Sequence, residues 1–175
     1  MIYMELIRYL FLFGVIVGCT SIGFILSRGY ADRLNELNDL SILINILQNK
    51  IKFTQLPLQE IFEELGNIKL KTKIHNFFLV CSENLKKMKM EEAWEGSVEE
   101  GRKFFYLNEE DIEVLNILGS TLGKTDIDGQ MNEINEIKER IALQIQQAEK
   151  EKNRNSKMYK SLGTITGLGI VILLF

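Results

Sequence analysis

One proline and one histidine occur in 175 residues, together with two cysteines. Each shortage closes off a class of protein. A lone proline leaves long stretches free of the residue that most strongly interrupts a helix. A single histidine and no CxxC pair exclude the usual histidine–cysteine metal clusters. Cys19 lies in an apolar run and Cys81 in a polar region, so two separated thiols read as unpaired in a reducing compartment rather than as a disulfide framework. Excess charge is missing too. The net charge of −3 gives no sign of a nucleic-acid binder. Period-2 alternation never lasts more than a few residues, which argues against strands. The class this leaves is all-α.

What is present is an uncharged run, Tyr9 to Leu26, with a second apolar stretch, Leu162 to Phe175, ending the sequence. The first run would be about 27 Å long as a helix, close to the hydrocarbon thickness of a bilayer. Arg8 followed by an apolar run looks like a signal peptide, and Ile16-Val17-Gly18-Cys19 resembles a lipoprotein cleavage box. The run continues beyond Cys19 for longer than a secretory core, and Arg28 and Arg33 follow it, so an uncleaved anchor is the better reading. The second run is shorter, about 21 Å as a helix, and needs snorkelling lysines or local thinning of the bilayer to span it. The expected organisation is an N-terminal transmembrane helix over 1–27, a helical-bundle domain over 28–160 and a C-terminal transmembrane helix over 161–175. Arg28 and Arg33 after the first span, with Lys150, Lys152, Arg154, Lys157 and Lys160 before the second, place the middle domain in the cytosol and both chain ends across the membrane.

Between the spans the apolar spacing is helical. Leu37, Leu40, Ile44, Leu47 and Ile51 form a seam. Pro57 suits the first turn of a second helix carrying Leu58, Ile61, Phe62 and Leu65, and Gly66 is placed to stop it in a left-handed turn. A third helix is expected over about Lys71 to Met88, with His75 at the edge of its apolar face. A fourth carries Trp94, Val98 and Phe105. Asn108 is a good N-cap for a fifth, whose stripe is Ile112, Leu115, Leu118 and Leu122. The last opens near Asp126 and shows no stop before Gly163, so it can run on into the membrane.

Catalytic motifs are weak. Gly119-Ser-Thr-Leu-Gly-Lys-Thr125 has three residues between its glycines where a phosphate-binding loop needs four, and it follows a helix pattern rather than a strand. Asp126-Ile-Asp128-Gly129 lacks the later acids of a calcium loop. No nucleophile–base pair stands out, and no catalytic, cofactor or metal residue is assigned. The small residues in the apolar runs are more informative. Gly14 and Gly18 are four apart, as are Gly163 and Gly167, a spacing that lets helices approach closely in lipid, although glycine is common in membrane helices in any case.

Taken together in their order, several segments carry a resemblance. They are the first span ending in Gly23 to Arg33; Thr54-Gln-Leu-Pro57-Leu with Glu60; and Glu92-Ala-Trp94-Glu. Further on come Leu118-Gly-Ser-Thr-Leu-Gly123, Asp126-Ile-Asp-Gly-Gln130 and Lys157-Met-Tyr-Lys-Ser-Leu-Gly163. Over nearly its whole length the chain resembles the stage III sporulation protein AB family of endospore-forming bacteria. The resemblance implies a six-helix cytosolic domain similar to one domain of the inner-membrane platform protein of type II secretion and type IV pilus machines. It implies a place in the channel between mother cell and forespore, in the mother-cell membrane around the forespore. Its implied neighbours are a secretion-type ATPase, ring-forming proteins and the forespore-side channel protein, besides membrane lipid; self-association is left open. It marks Leu118, Gly119, Leu122, Gly123, Asp126 and Gln130 as the motif at a helix junction. Three functions follow in order: a non-enzymatic platform subunit, a membrane-anchored adaptor or sensor for a signalling partner, and last an enzyme of lipid or nucleotide chemistry.

Overall fold

The computed structural model describes residues 2–54, 56–123 and 127–174. They form six α-helices and, among the described residues, no strand: α1 Ile2–Phe53, α2 Leu58–Gly66, α3 Asn76–Leu85, α4 Met90–Gly101, α5 Glu109–Thr121 and α6 Ile127–Leu174. Among the described residues there are six helices in all, not six with two further spans beside them. The first apolar run and the Leu37 seam are one uninterrupted helix, and so are the last seam and the terminal apolar run. The sequence explains this continuity, because no proline lies in either segment and the interior glycines cost only about 1 kcal/mol each in a helix.

The chain divides into two compact units. One is Asp32–Ala148; the other joins the chain up to Ala31 with the chain from Glu149. In the Asp32–Ala148 unit the core is built on Leu40, Leu43, Ile44 and Leu47 of α1, with Ile134, Ile137 and Ile141 of α6. Into it α2 to α5 send Phe62, Phe78, Trp94 and Leu115, all essentially inaccessible to solvent. The rings of Phe62, Phe77, Phe78 and Trp94 meet edge-on or tilted, Phe77 and Trp94 with centroids 4.8 Å apart, the geometry that the ring quadrupoles favour. The indole N–H of Trp94 donates to the carbonyl of Leu115 at 3.0 Å, so its one polar group is satisfied inside the core.

Three sequence expectations change. Gly66 does not leave α2 in a left-handed turn. It is the last residue of α2 and buried, and a side chain there would run into Leu79 of α3. Its use is close helix approach, and Asn67, in a right-handed helical conformation, follows it. The third helix starts at Asn76 rather than near Lys71, because the preceding backbone is already engaged: the carboxylate of Asp39 accepts the N–H of Thr72 at 2.7 Å. His75 stands at the head of α3 with Nδ1 3.0 Å from the carbonyl of Thr72. Phe105 lies past the end of α4, in a turn closed by its N–H on the carbonyl of Gly101 at 3.0 Å. From there its ring folds back over Gly101 onto Phe77.

In the unit made of the two chain ends, α1 contains an 18-residue window of mean hydropathy 2.3, long and apolar enough to cross a bilayer. Among the described residues α6 has no window that meets the same length and hydropathy. Tyr9, Leu10, Phe11, Phe13, Ile22 and Ile25 are each about half exposed or more, as a lipid-facing surface would be.

Candidate functional site

Three groups of residues stand out by their chemistry, and the first was invisible in the apolar pattern. Along α1, Arg33, Glu36 and Asp39 are three residues apart and all buried. The spacing puts them in one row on the helix surface. Each holds a different loop or helix start. Arg33 forms a two-pronged pair with Asp111, Nε to Oδ2 at 2.7 Å and Nη2 to Oδ1 at 3.0 Å, and reaches Gln144 of α6 at 3.3 Å. Asp111 also closes a capping box with Asn108: each side chain accepts the other's backbone N–H at 2.9 Å. Glu36 accepts the N–H of Tyr106 at 2.7 Å, and Asp39 accepts that of Thr72. The row thus pins the start of α5, the α4–α5 loop and the α2–α3 loop. Arg33, which the sequence reading counts among the cations flanking the first span, is spent inside this row.

Burial pushes the Glu36 carboxyl up to about 7. The backbone N–H groups of Tyr106 and Leu107 oppose the rise, and repulsion from Asp32 and Asp111 adds to it. Glu36 also lines a cavity of about 410 Å³ between α3, α4 and the loop after α4, walled by Phe77, Phe104 and Phe105 with Lys73 and Glu100. Phe104 and Tyr106 stand largely exposed on that loop.

The second group is the junction of α5 and α6. Leu118 and Leu122 are buried in the core. Gly119 is seated directly under the indole of Trp94, where a Cβ would fall inside the ring. Gly123 follows with φ +79°, the left-handed conformation that favours glycine. Gln130 is buried on α6; Asp126 lies outside the described residues. Gly119 to Thr121 belong to helix α5, so the Gly119 segment starts as a helix and not as a phosphate-cradling loop.

The third group is the contact between the two chain ends. Gly163 packs on the backbone of Cys19 and Gly23, and Gly167 packs on Ile16 and Cys19. Gly23 in turn packs on the backbone of Tyr159 and Gly163. Gly14 and Gly18 have nothing within 4 Å of an added Cβ, so neither makes a close helix contact within the chain. Spacing of four cannot say which glycine of α1 reaches the seam. Above it, Ser27 and Ser156 share a hydrogen bond, and Tyr30 and Tyr159 stack with ring centroids 5.9 Å apart.

Among the described residues, no three histidine, cysteine or acidic side chains are grouped to hold a metal ion. The single histidine is tied to a backbone carbonyl, and Cys81 is enclosed in the core, where burial pushes its thiol up to about 12 against a lowering hydrogen bond from Ser97.

Fold and site together define a membrane-associated helical bundle, carried on two long helices whose apolar ends pack through glycine. The sequence model of the stage III sporulation protein AB family matches residues 8–175, and the chain belongs to that family of sporulation proteins. The stage III sporulation protein AB of Bacillus subtilis (strain 168) is 27% identical over 162 residues, which cover 91% of this chain and 94% of the relative. A solved structure titled stage III sporulation protein AB superposes with a TM-score of 0.65 at 21% identity, covering 69% of this chain and 96% of the solved one, a likeness in fold.

Proposed function

We propose that the chain is a non-enzymatic platform subunit of a secretion-like sporulation channel between mother cell and forespore. In this reading it crosses the mother-cell membrane twice, with α1 and the end of α6 as spans. The bundle projects into the cytosol, where it docks a secretion-type ATPase beneath ring-forming proteins. The observation that carries the reading is continuity: α1 and α6 pass from the glycine-packed apolar ends into the bundle core as unbroken helices. The buried charges of the bundle are committed to holding loops, which suits a scaffold better than a catalyst.

Two measurements test it. Single cysteines at Asn38 and Glu136, both exposed, in a chain lacking Cys19 and Cys81, should be labelled only from the cytosolic side. A tag after Phe175 should be reached only from the opposite side. Crosslinking in sporulating cells followed by purification should recover a secretion-type ATPase; recovery of a kinase or regulator instead would favour the adaptor reading.

A further inference from the structure

Charge is divided sharply between the two units. Asp32–Ala148 carries fourteen basic and twenty-one acidic residues, net −7, whereas the unit of the two chain ends carries seven basic and three acidic, net +4. The positive charge is concentrated just before the terminal apolar run. From Lys152 to Leu162 there are four basic residues and no acidic one. Lys150, Arg154 and Lys157 fall within about 60° of arc on α6, with Lys160 beside them, and all four are exposed. The opposite face of the same turns is taken up by Ser156, Tyr159 and Gly163, which meet Ser27, Tyr30 and Gly23 of α1. The seam between the helices at this level is closed by neutral groups, with Arg154 and Lys157 on the other face of α6 and Lys160 at its edge, beside Phe24. Arg28 adds a further exposed cation on α1.

The heights fit a headgroup layer. Lys160 lies about 3 Å along the helix from Leu162, Lys157 about 8 Å and Arg154 about 12 Å. Each polar layer of a bilayer is only about 5–8 Å thick, and long side chains extend that reach. The ammonium of Lys160 already sits 5.2 Å from the ring centre of Phe24, at the edge of the apolar surface. A tyrosine pair at the same level is the usual furniture of a membrane interface.

We propose that the exposed stripe Arg154, Lys157 and Lys160, with Arg28, binds the phosphate groups of anionic lipids on the side of the membrane that faces the bundle. The proposal rests on the reading of the terminal run as a second span. An acidic protein surface could also answer a basic stripe. Lipid is favoured because the stripe adjoins the apolar run directly and ends where it begins. The acidic Asp32–Ala148 unit is repelled by the same lipid charge, so the stripe would be the adhesive part of an otherwise anionic protein.

The test uses the full chain in a neutral detergent, with phosphatidylglycerol and phosphatidylcholine of identical acyl chains supplied in competition. Bound lipids are counted by native mass spectrometry. The wild-type chain should retain phosphatidylglycerol in preference, and the preference should fall with added salt. Each cation removed should reduce it about fivefold, so Arg154→Gln/Lys157→Gln/Lys160→Gln should lose about 100-fold, while Lys86→Gln/Lys87→Gln in the bundle should lose nothing. Equal retention of the two lipids would overturn the proposal. So would displacement by millimolar glycerol phosphate, which would mark a site for free phosphate. A triple variant that keeps its lipid preference but loses an acidic protein partner would do the same. The tag after Phe175 reports on the second span separately: a tag exposed to the cytosol with the lipid preference intact removes the two-pass topology and leaves the lipid site.

Discussion

The guanidinium of Arg33 and the carboxylate of Asp111, seventy-eight positions apart, meet side by side in a two-bond pair buried between α1 and the first turn of α5. Desolvating two charges is costly, and the mutual attraction offsets it only while both partners are present. Arg33→Met alone should therefore lower the stability of the full chain by about 3–5 kcal/mol. The double variant Arg33→Met/Asp111→Asn should recover part of that loss, because no charge is left stranded. Chemical unfolding in detergent, followed by the fluorescence of Trp94, measures both. Equal losses in the single and double variants would show that the pair is not coupled.

Glu36 makes stability depend on pH in an unusual direction for a carboxylate. Its folded pKa, about 7, stands above the ordinary value of 4.5. The folded state therefore holds a proton that the unfolded state has released, and stability falls as pH rises from about 4.5 to about 7, then levels off. Glu36→Gln keeps an acceptor for the Tyr106 N–H without the charge. It should flatten the slope and raise stability at pH 8 by about 1–3 kcal/mol. Unfolding midpoints of the two chains at pH 5 and pH 8 decide it; parallel pH profiles would count against the assignment.

Gly119 tests the helix junction. An alanine methyl there would occupy the space of the Trp94 indole. Overpacking of this kind costs about 1–3 kcal/mol, and it should shift Trp94 emission and loosen its bond to the Leu115 carbonyl. Ser120→Ala, one residue on and exposed, should change neither.

The two glycine pairs of the chain ends should behave differently. Gly163→Leu and Gly23→Leu drive a side chain into opposing backbone, so they should separate α1 from α6 and abolish disulfide crosslinking between cysteines placed at Ser27 and Ser156. Gly14→Leu and Gly18→Leu, which meet nothing within 4 Å, should leave that crosslink intact. A loss of crosslinking in the Gly14 and Gly18 variants instead would place those glycines in the contact between α1 and α6.

Cys81 is the opposite of a reactive thiol: enclosed and held protonated. A thiol reagent at pH 8 should modify it only after unfolding, at the rate of global opening. Mass spectrometry of the native protein should find it unmodified, and rapid native labelling would show that the core around Phe78 and Trp94 opens locally.

By itself the sequence determined the helical class, the two apolar ends and most of the core. These are matters of period and composition: Leu40, Ile44 and Leu47 repeat as a buried face must, and Tyr9 to Leu26 has no charge to leave in lipid. Asn108 was legible as a cap because its chemistry is local, acting within three residues. What only the tertiary structure decided was every relation between distant parts. The row Arg33, Glu36 and Asp39 carries only charged side chains, and it is buried because two loops bring their N–H groups to it and the first turn of α5 brings a carboxylate. Gly66 looked like a stop and is a contact, since Leu79 comes to lie on it. Gly23, rather than Gly14 or Gly18, meets Gly163, because the register between α1 and α6 is fixed by packing along both helices and no spacing within one of them can contain it.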